Sequence, residues 1–176
     1  QLDAAVEGWS VRGGVVRRLV AELGLEDRIV PAADAPSAVG GLPGGPAPLP
    51  ERTIAGIPEN PWDESVRRII GWSGTWRAYV DRLRPPLTIG KERSLGRLVR
   101  TRMGEAVLDR LVAPFSLGVW GTHPDDIDVE AVAPGLSTAL TRAGSLSGAV
   151  PELLVDRRPG PRLEGLDGGM TQLVVA

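Results

Sequence analysis

Ser94-Leu-Gly-Arg-Leu-Val-Arg-Thr-Arg-Met-Gly-Glu-Ala-Val-Leu-Asp-Arg-Leu-Val-Ala-Pro114 lays two apolar helical patterns end to end. Ser94 stands where an N-cap belongs, ahead of Leu95, Leu98 and Val99 on one helical face. Gly104 breaks that helix, and Val107, Leu108, Leu111 and Val112 start another. The same grammar recurs along the chain. Val15, Val16, Leu19, Val20 and Leu23 recur at helical spacing up to Gly24. Pro61-Trp62-Asp63-Glu64 opens a helix with acids in its first turn, and Ile69, Ile70, Trp72, Trp76, Tyr79, Val80 and Leu83 extend it towards Pro85-Pro86. Asp128 can cap a further short helix. Pro31 to Pro50 reads as a loop with a poor hairpin around Gly44-Gly45, and a short strand is expected near Arg162–Glu164. These patterns predict a mainly α (α+β) chain of short helices and few strands.

The bulk numbers agree. With 176 residues the chain can bury a core of its own, and 42% hydrophobic with 24% charged residues is ordinary for a globular protein. Gly (23) and Pro (16) exceed a fifth of the residues, so helices should be short and interrupted. The lack of Cys excludes disulfides, thiolate metal sites and Cys nucleophiles. No apolar run approaches a membrane span, and the first residues lack a signal-peptide pattern. The chain begins at Gln1 rather than Met, which leads us to expect polypeptide upstream. Charge is uneven. Arg67 to Arg102 holds ten Lys/Arg against Asp81 and Glu92, a net of +8, whereas Met103 to Leu136 holds six acids against Arg110, a net of −5. The basic half suits carboxylates, phosphates or an anionic surface, or it is a set of solvated helix faces.

Candidate chemical groups are few. His123 is the one His, Pro124 follows it, and a catalytic or metal-bound His needs partners that this pattern does not supply. Asp125, Asp126, Asp128 and Glu130 lack the Gly and distal Glu of a calcium loop, and are read as acids at helix N-termini. Gly13-Gly14 and Gly40 to Gly45 match neither phosphate-binding fingerprint. A G-x-S-x-G nucleophile motif is absent. Trp72, Trp76 and Tyr79 sit among arginines at core-like spacing and are taken as packing residues rather than a nucleic-acid platform. No catalytic and no metal-binding residue is assigned. Such a chain suits an enzyme whose chemistry resides in a cofactor, with the protein supplying shape, apolar walls and positive charge.

The order of segments is more specific than any single motif. Glu7-Gly-Trp-Ser-Val-Arg12 before Glu22-Leu-Gly-Leu-Glu-Asp27, then Leu42 to Pro50 and Gly56-Ile-Pro58, resemble passages of the bacterial porphyrinogen oxidases. The Ser94–Pro114 block, Gly118-Val-Trp-Gly121, Asp125-Asp126, Gly144-Ser-Leu-Ser-Gly148 and Gly165-Leu-Asp-Gly-Gly-Met170 complete the resemblance. It is to the oxygen-dependent, flavin-dependent protoporphyrinogen/coproporphyrinogen III oxidases of actinobacterial type, and 19 Arg among the 20 basic residues agrees with a high-GC genome.

The resemblance implies the central part of such an enzyme: a helical substrate-binding domain of the flavin amine oxidase/porphyrinogen oxidase-like fold, with the Rossmann FAD domain largely missing. Residues 1–30 would be the edge of the FAD domain, 31–160 the porphyrinogen-binding domain, and 161–176 a return segment. It implies FAD as cofactor, not held by this chain alone, with Trp9 and Arg12 on the flavin side, and a tetrapyrrole substrate against Gly118, Val119 and Trp120. Arginines would anchor propionates. The activity implied is oxidation of coproporphyrinogen III or protoporphyrinogen IX with FAD and O2 in haem biosynthesis, in the cytoplasm. Nucleic acid is not an expected partner; membrane contact and oligomeric state stay open. Around Ala38-Val39-Gly40 the family carries bulkier residues than here. The alternatives are a non-catalytic porphyrin- or anion-binding helical module, an inactive truncated product, or a flavin amine oxidase.

Overall fold

A computed structural model describes residues 8–11, 14–31, 38–42, 44–84, 92–155 and 163–175. In chain order its elements are β1 (Trp9–Ser10), α1 (Val15–Glu22), β2 (Ile29–Pro31), β3 (Ala38–Val39), β4 (Ala47–Pro48), β5 (Thr53–Ile54), β6 (Ile57–Pro58), α2 (Glu64–Tyr79), α3 (Leu95–Met103), α4 (Glu105–Val107), α5 (Ala113–Trp120), α6 (Val129–Val132), α7 (Leu136–Ala143), α8 (Leu146–Leu154), β7 (Leu163–Leu166) and α9 (Gln172–Val175). The mainly helical α+β class is thus observed. The helices and strands expected around 15–24, 61–84, 94–112, 128 and 164 are all present, as is the hairpin at Gly44-Gly45, formed by β3 and β4.

The chain divides into two compact units, residues 1–35 with 158–176, and residues 36–157. In the first, β1, β7 and β2 form an antiparallel sheet in the order β1-β7-β2, with Trp9 opposite Glu164 and Ile29 opposite Leu166. Helix α1 buries Val20 with Trp9 and Leu166, and Val16, Leu25, Ile29, Met170 and Leu173 pack around them. Three residues at the centre make a small core, so much of α1 stays in water; Val15 and Leu19 are exposed.

The second unit holds the larger core. Side chains from α2, α3, α4, α7 and α8 meet in one cluster in which Ile69, Ile70, Leu95, Met103, Leu108, Leu111, Leu136, Leu140 and Leu146 are fully buried. Burying a Leu or Ile side chain contributes roughly 1.5–3 kcal/mol, so this cluster dominates the stability of the unit. Capping follows the sequence grammar. Asp63 accepts from the Ser65 N–H (2.9 Å), Ser94 from Arg97 (3.2 Å), Asp128 from Glu130 (2.8 Å) and Ser145 from Gly148 (3.1 Å). The break at Gly104 is real, and beyond it Leu108–Val112 winds as a π-helix that runs directly into α5.

One expectation is overturned. Trp72 and Trp76, taken as packing residues, are 63% and 58% exposed. The cause is Gly71, whose φ of 73° and ψ of 171° interrupt α2. That backbone is open to Gly alone. In an unbroken helix Ile69, Trp72, Trp76 and Leu83 would share a stripe. The kink resets the phase, so the second half of α2 buries Gly74, Thr75 and Ala78 and turns its tryptophans outwards.

Candidate functional site

The expected substrate-side residues lie at the end of α5. The segment Ala113-Pro-Phe-Ser-Leu-Gly-Val-Trp120 is apolar all round, which ordinarily marks a helix buried on every side. Here it is not: Leu117, Gly118 and Val119 are exposed, and Trp120 is 37% exposed. The Trp120 ring stands edge-on to Phe115, with centroids 5.4 Å apart, and no neighbour comes within 4 Å of where a Cβ on Gly118 would stand. Ser116, on the inner side, is buried, and its hydroxyl has no partner among the described residues. The helix therefore offers an apolar ledge, and the π-helix before it belongs to a class of distortion common at functional sites.

The chain leaving the ledge is held tightly. After the αL turn at Gly121, His123 caps the 3-10 turn Pro124–Asp126 through its Nδ1, which accepts from the Asp125 N–H (3.3 Å). The Leu95 N–H donates to the Ile127 carbonyl (2.9 Å), the Val129 N–H to the Arg93 carbonyl (2.8 Å), and the Ser94 hydroxyl to the Asp125 carbonyl (2.9 Å). Arg100 grips Asp125 with both arms of its fork, Nη1 to Oδ1 at 2.9 Å and Nη2 to Oδ2 at 3.0 Å. This guanidinium, with Arg97 as a lesser contributor, holds the Asp125 carboxyl below its ordinary pKa. Gly96 makes the approach feasible, since a Cβ there would lie 2.2 Å from Asp125 Oδ1 and 2.8 Å from its backbone N. The N-terminus of α3 is thus fastened to the loop that follows Trp120.

The acids after His123 therefore divide their roles. Asp128 caps α6, as expected of it. Glu130 reaches forward to the start of α7 and accepts from the Gly135 N–H (2.8 Å) and Ser137 N–H (3.3 Å). The Ser137 side chain, first, and then these two backbone N–H groups lower its pKa. Asp125 is a correction, because its side chain serves Arg100 rather than a helix N-terminus. Among the described residues no group of three metal-ligating side chains converges.

The basic half is also more structural than its charge suggests. Arg77 donates to the Arg102 and Thr101 carbonyls (both 2.9 Å) and Arg84 donates to Thr101 as well, so two guanidinium groups finish the C-terminus of α3. Arg110 donates to the Ile69 carbonyl (3.2 Å). Arg102 is buried on Asp81.

A separate cleft of about 500 Å³ is lined by Pro48–Arg52, Glu59, Asn60, Asp63, Ser65 and Val66. Glu51, Glu59 and Asp63 outnumber Arg52, which is itself paired with Glu59. Such a lining repels a polyanion.

Of the expected flavin-side residues, Arg12 lies outside the described residues. Trp9 lies in the three-stranded sheet, 7% exposed, with Glu164 opposite it. Among the described residues the Trp9 Nε1–H and one Glu164 oxygen, Oε2, are both buried without a partner, while Oε1 faces Arg17 at 3.6 Å. Leu117 and Phe115 were not singled out from the sequence. Their signal was the apolar run Ala113–Trp120, too short to be read as fully buried or as a ledge.

A mainly helical unit that carries an exposed apolar ledge, and a small three-stranded unit, make this chain a partial domain of the porphyrinogen-oxidase type. The crystal structure of a "Putative protoporphyrinogen oxidase from Exiguobacterium sp. 255-15" superposes with a TM-score of 0.77 at 22% identity, covering 97% of this chain and 37% of that one. By sequence, the coproporphyrinogen III oxidases of Mycobacterium tuberculosis (strain ATCC 25618 / H37Rv) and Mycobacterium leprae (strain TN) are 30% and 32% identical over 175 residues, 98% of this chain. The chain spans 38% of the length of these curated relatives. No family profile matches it. On this similarity the chain belongs to the protoporphyrinogen/coproporphyrinogen III oxidase family, as a part of the family's length.

Proposed function

We propose that this chain is the tetrapyrrole-binding part of a porphyrinogen oxidase of haem biosynthesis, with FAD as cofactor and O2 as terminal oxidant, working in the cytoplasm. The observation that carries the reading is the exposed face of Leu117, Val119 and Trp120 on a helix that is apolar all round. A flat macrocycle has a large apolar face and needs such a wall. Gly118 adds no side chain to that wall, so a ring can approach the backbone. The Arg100–Asp125 clamp fixes the turn after Trp120 and so fixes the ledge. Propionate groups on the ring rim would call for arginines; Arg97, exposed on α3, is free to turn outwards because Glu92 lies at a loose 3.9 Å.

A flavin fits the small unit in one respect. Trp9 Nε1 offers a buried donor and Glu164 Oε2 a buried acceptor at directly paired strand positions, which suits a ligand chain bearing hydroxyl groups. A pyrophosphate cradle is not encoded in these residues, since no G-x-G-x-x-G occurs. When bound, the flavin would supply the two-electron acceptor for hydride removal. The chain's own residues would position the ring, exclude water and neutralise its carboxylates, without a protein base.

The test is titration of the chain with coproporphyrin III, following the Soret band and Trp emission. Saturable binding that weakens in Trp120→Ala supports the reading, and absence of binding overturns it. Oxidation of coproporphyrinogen by a full-length flavin-loaded relative carrying this segment, against none by a relative lacking it, separates an oxidase from a binding module.

A further inference from the structure

The geometry points to Gly56, at the tip of the β5–β6 hairpin, as the positioning residue of the tetrapyrrole ledge, acting through the π-helix at Leu108–Val112. That the ledge meets a tetrapyrrole rests on the function proposed above; how the ledge is set does not. Thr53 pairs with Pro58 and Ile54 with Ile57, so Ala55 and Gly56 alone make the turn. Their φ angles are 50° and 82°, and a tight two-residue hairpin of type I′ requires positive φ at both places. Among the described residues Ala55 is the one residue other than Gly with positive φ, and it is buried. Ile54 and Ile57 carry the tip into the core that holds Leu108, Leu111 and Val112. There the tip meets backbone. A Cβ on Gly56 would lie 2.8 Å from the Leu111 carbonyl oxygen, 2.8 Å from Val112 Cα and 3.1 Å from the Leu111 carbonyl carbon. No side chain there can swing aside, so only Gly seats against the π-helix.

The consequence is a change of helical phase. A π turn bonds residue i to i+5 and takes in one residue more than an α turn. Each residue advances an α-helix by about 100°. In an unbroken α-helix running on from Leu108, Phe115 and Val119 would follow it on the buried stripe, at i+7 and i+11. With the extra residue the stripe passes from Leu108 to Val112 and Ser116 instead. Burial follows the second pattern. Val112 and Ser116 are buried, Phe115 is half-buried, and Val119 is 57% exposed. The shift accounts for two features together. A Ser with an unpartnered hydroxyl occupies the core phase where a Phe would otherwise stand, and Phe115 is left to meet the Trp120 ring edge-on. The hairpin tip touches Leu111 and Val112, the last two residues of the π-helix, and its seat there holds the wide turn open.

The chain has no Cys, so single Cys reporters read the phase directly. In the parent background Val119→Cys should react quickly with a maleimide and Ser116→Cys slowly. Gly56→Ala presses on the π-helix, which closes to an α-helix and turns α5 by about 100°. The order of the two rates should then invert, with Ser116→Cys labelling about tenfold faster or more. Affinity for coproporphyrin III, measured without the reporters, should fall by about tenfold. Deleting Asp109, an exposed residue of the π-helix, removes the extra residue without touching the hairpin and should invert the rates likewise. Gly135→Ala is the control. It places a side chain at a φ of 84° with only Leu153 nearby, at 3.7 Å, and should leave rates and affinity unchanged. Parent-like rates in Gly56→Ala overturn the inference. So do both rates rising together, the mark of plain loosening. Where Gly56→Ala does not fold, parent-like rates in the Asp109 deletion overturn it. Inverted rates with undiminished porphyrin affinity remove Gly56 from the binding of the ring. A parent chain that binds no coproporphyrin III overturns the tetrapyrrole reading itself, and the labelling rates show separately whether the hairpin sets the helix.

Discussion

Arg102 and Asp81 form a buried ion pair at the centre of the helical unit. Arg102 Nε donates to Asp81 Oδ1, and Asp81 Oδ2 accepts the Leu146 N–H at 2.6 Å, at the first residue of α8. Arg102 Nη2 donates to the Gly144 carbonyl at 2.7 Å, at the end of α7. One pair thus ties α3, the turn after α2 and the α7–α8 corner together. Asp81 is fully buried and Arg102 nearly so. Beyond the ion pair itself, Arg102 Nη2 and Asp81 Oδ2 are each matched by a backbone group, the condition under which a buried charge is tolerated.

Asp81→Ala leaves the Arg102 guanidinium buried without its countercharge and the Leu146 N–H without an acceptor. The expected cost is about 3–5 kcal/mol of unfolding free energy. The double variant Asp81→Leu/Arg102→Met should recover most of it. Denaturant unfolding of the three variants checks this; additive losses in the double variant would refute the coupling.

Gly96→Ala would ordinarily strengthen a helix by roughly 0.5–1 kcal/mol. Here the new methyl group meets the Asp125 carboxylate and backbone, and overpacking costs about 1–3 kcal/mol. The net expectation is destabilisation, together with loosening of the loop after Trp120. Amide exchange at Asp125, Ile127 and Val129 should quicken, while exchange in α7 stays unchanged.

Gly71→Ala tests the kink. Space is open around Gly71, so sterics with neighbours are not the issue; the backbone is. The strained conformation should cost about 1–3 kcal/mol. A variant that melts like the parent would show that α2 does not need the interruption.

The Arg100–Asp125 contact sets a pH dependence. Arg100 lowers the Asp125 pKa in the folded state, so on acidification the unfolded chain takes up the proton first. The contribution is complete above the ordinary carboxylate range and disappears as pH falls through the depressed folded value. Glu130, lowered by Ser137 and Gly135, acts in the same direction. Asp125→Asn should therefore melt below the parent at neutral pH, with the gap closing in acid. The pair is substantially exposed, so the gap should also shrink with salt. A gap constant from neutral to strongly acidic pH would contradict it.

Trp120→Ala removes the largest ring on the ledge. Losing one aromatic contact of about 1–1.5 kcal/mol corresponds to roughly tenfold weaker porphyrin binding. Leu117→Ala should act in the same direction with a smaller effect. Equal affinities in parent and variant would move the tetrapyrrole away from this helix.

Much of the local structure was legible. Caps at Ser94 and Asp128 need only the right side chain before an apolar pattern, Asp63 lies in the helix start that Pro61–Glu64 marks, and Gly104 needs only its own permissive backbone; the Ser145 cap was not read from the sequence. Gly118, Val119 and Trp120 share the exposed end of α5, as three consecutive residues at a helix terminus can. What escaped was contact between distant segments. Asp125 resembled a capping acid until Arg100, 25 residues earlier, took both its oxygens. The arginines of 67–102 resembled a solvated or ligand-binding surface until Arg77, Arg84 and Arg102 were found on backbone carbonyls.

By itself the sequence determined which segments coil, where they stop, and which family they resemble, since caps, breaks and motif order act over a few residues. Only the tertiary structure decided which side chains face water. The periodicity of α2 placed Trp72 and Trp76 inside, and one glycine turned them out. A helical phase is a sum over successive dihedral angles, so a single residue in the left-handed region resets it for everything that follows, and no count of spacings records that.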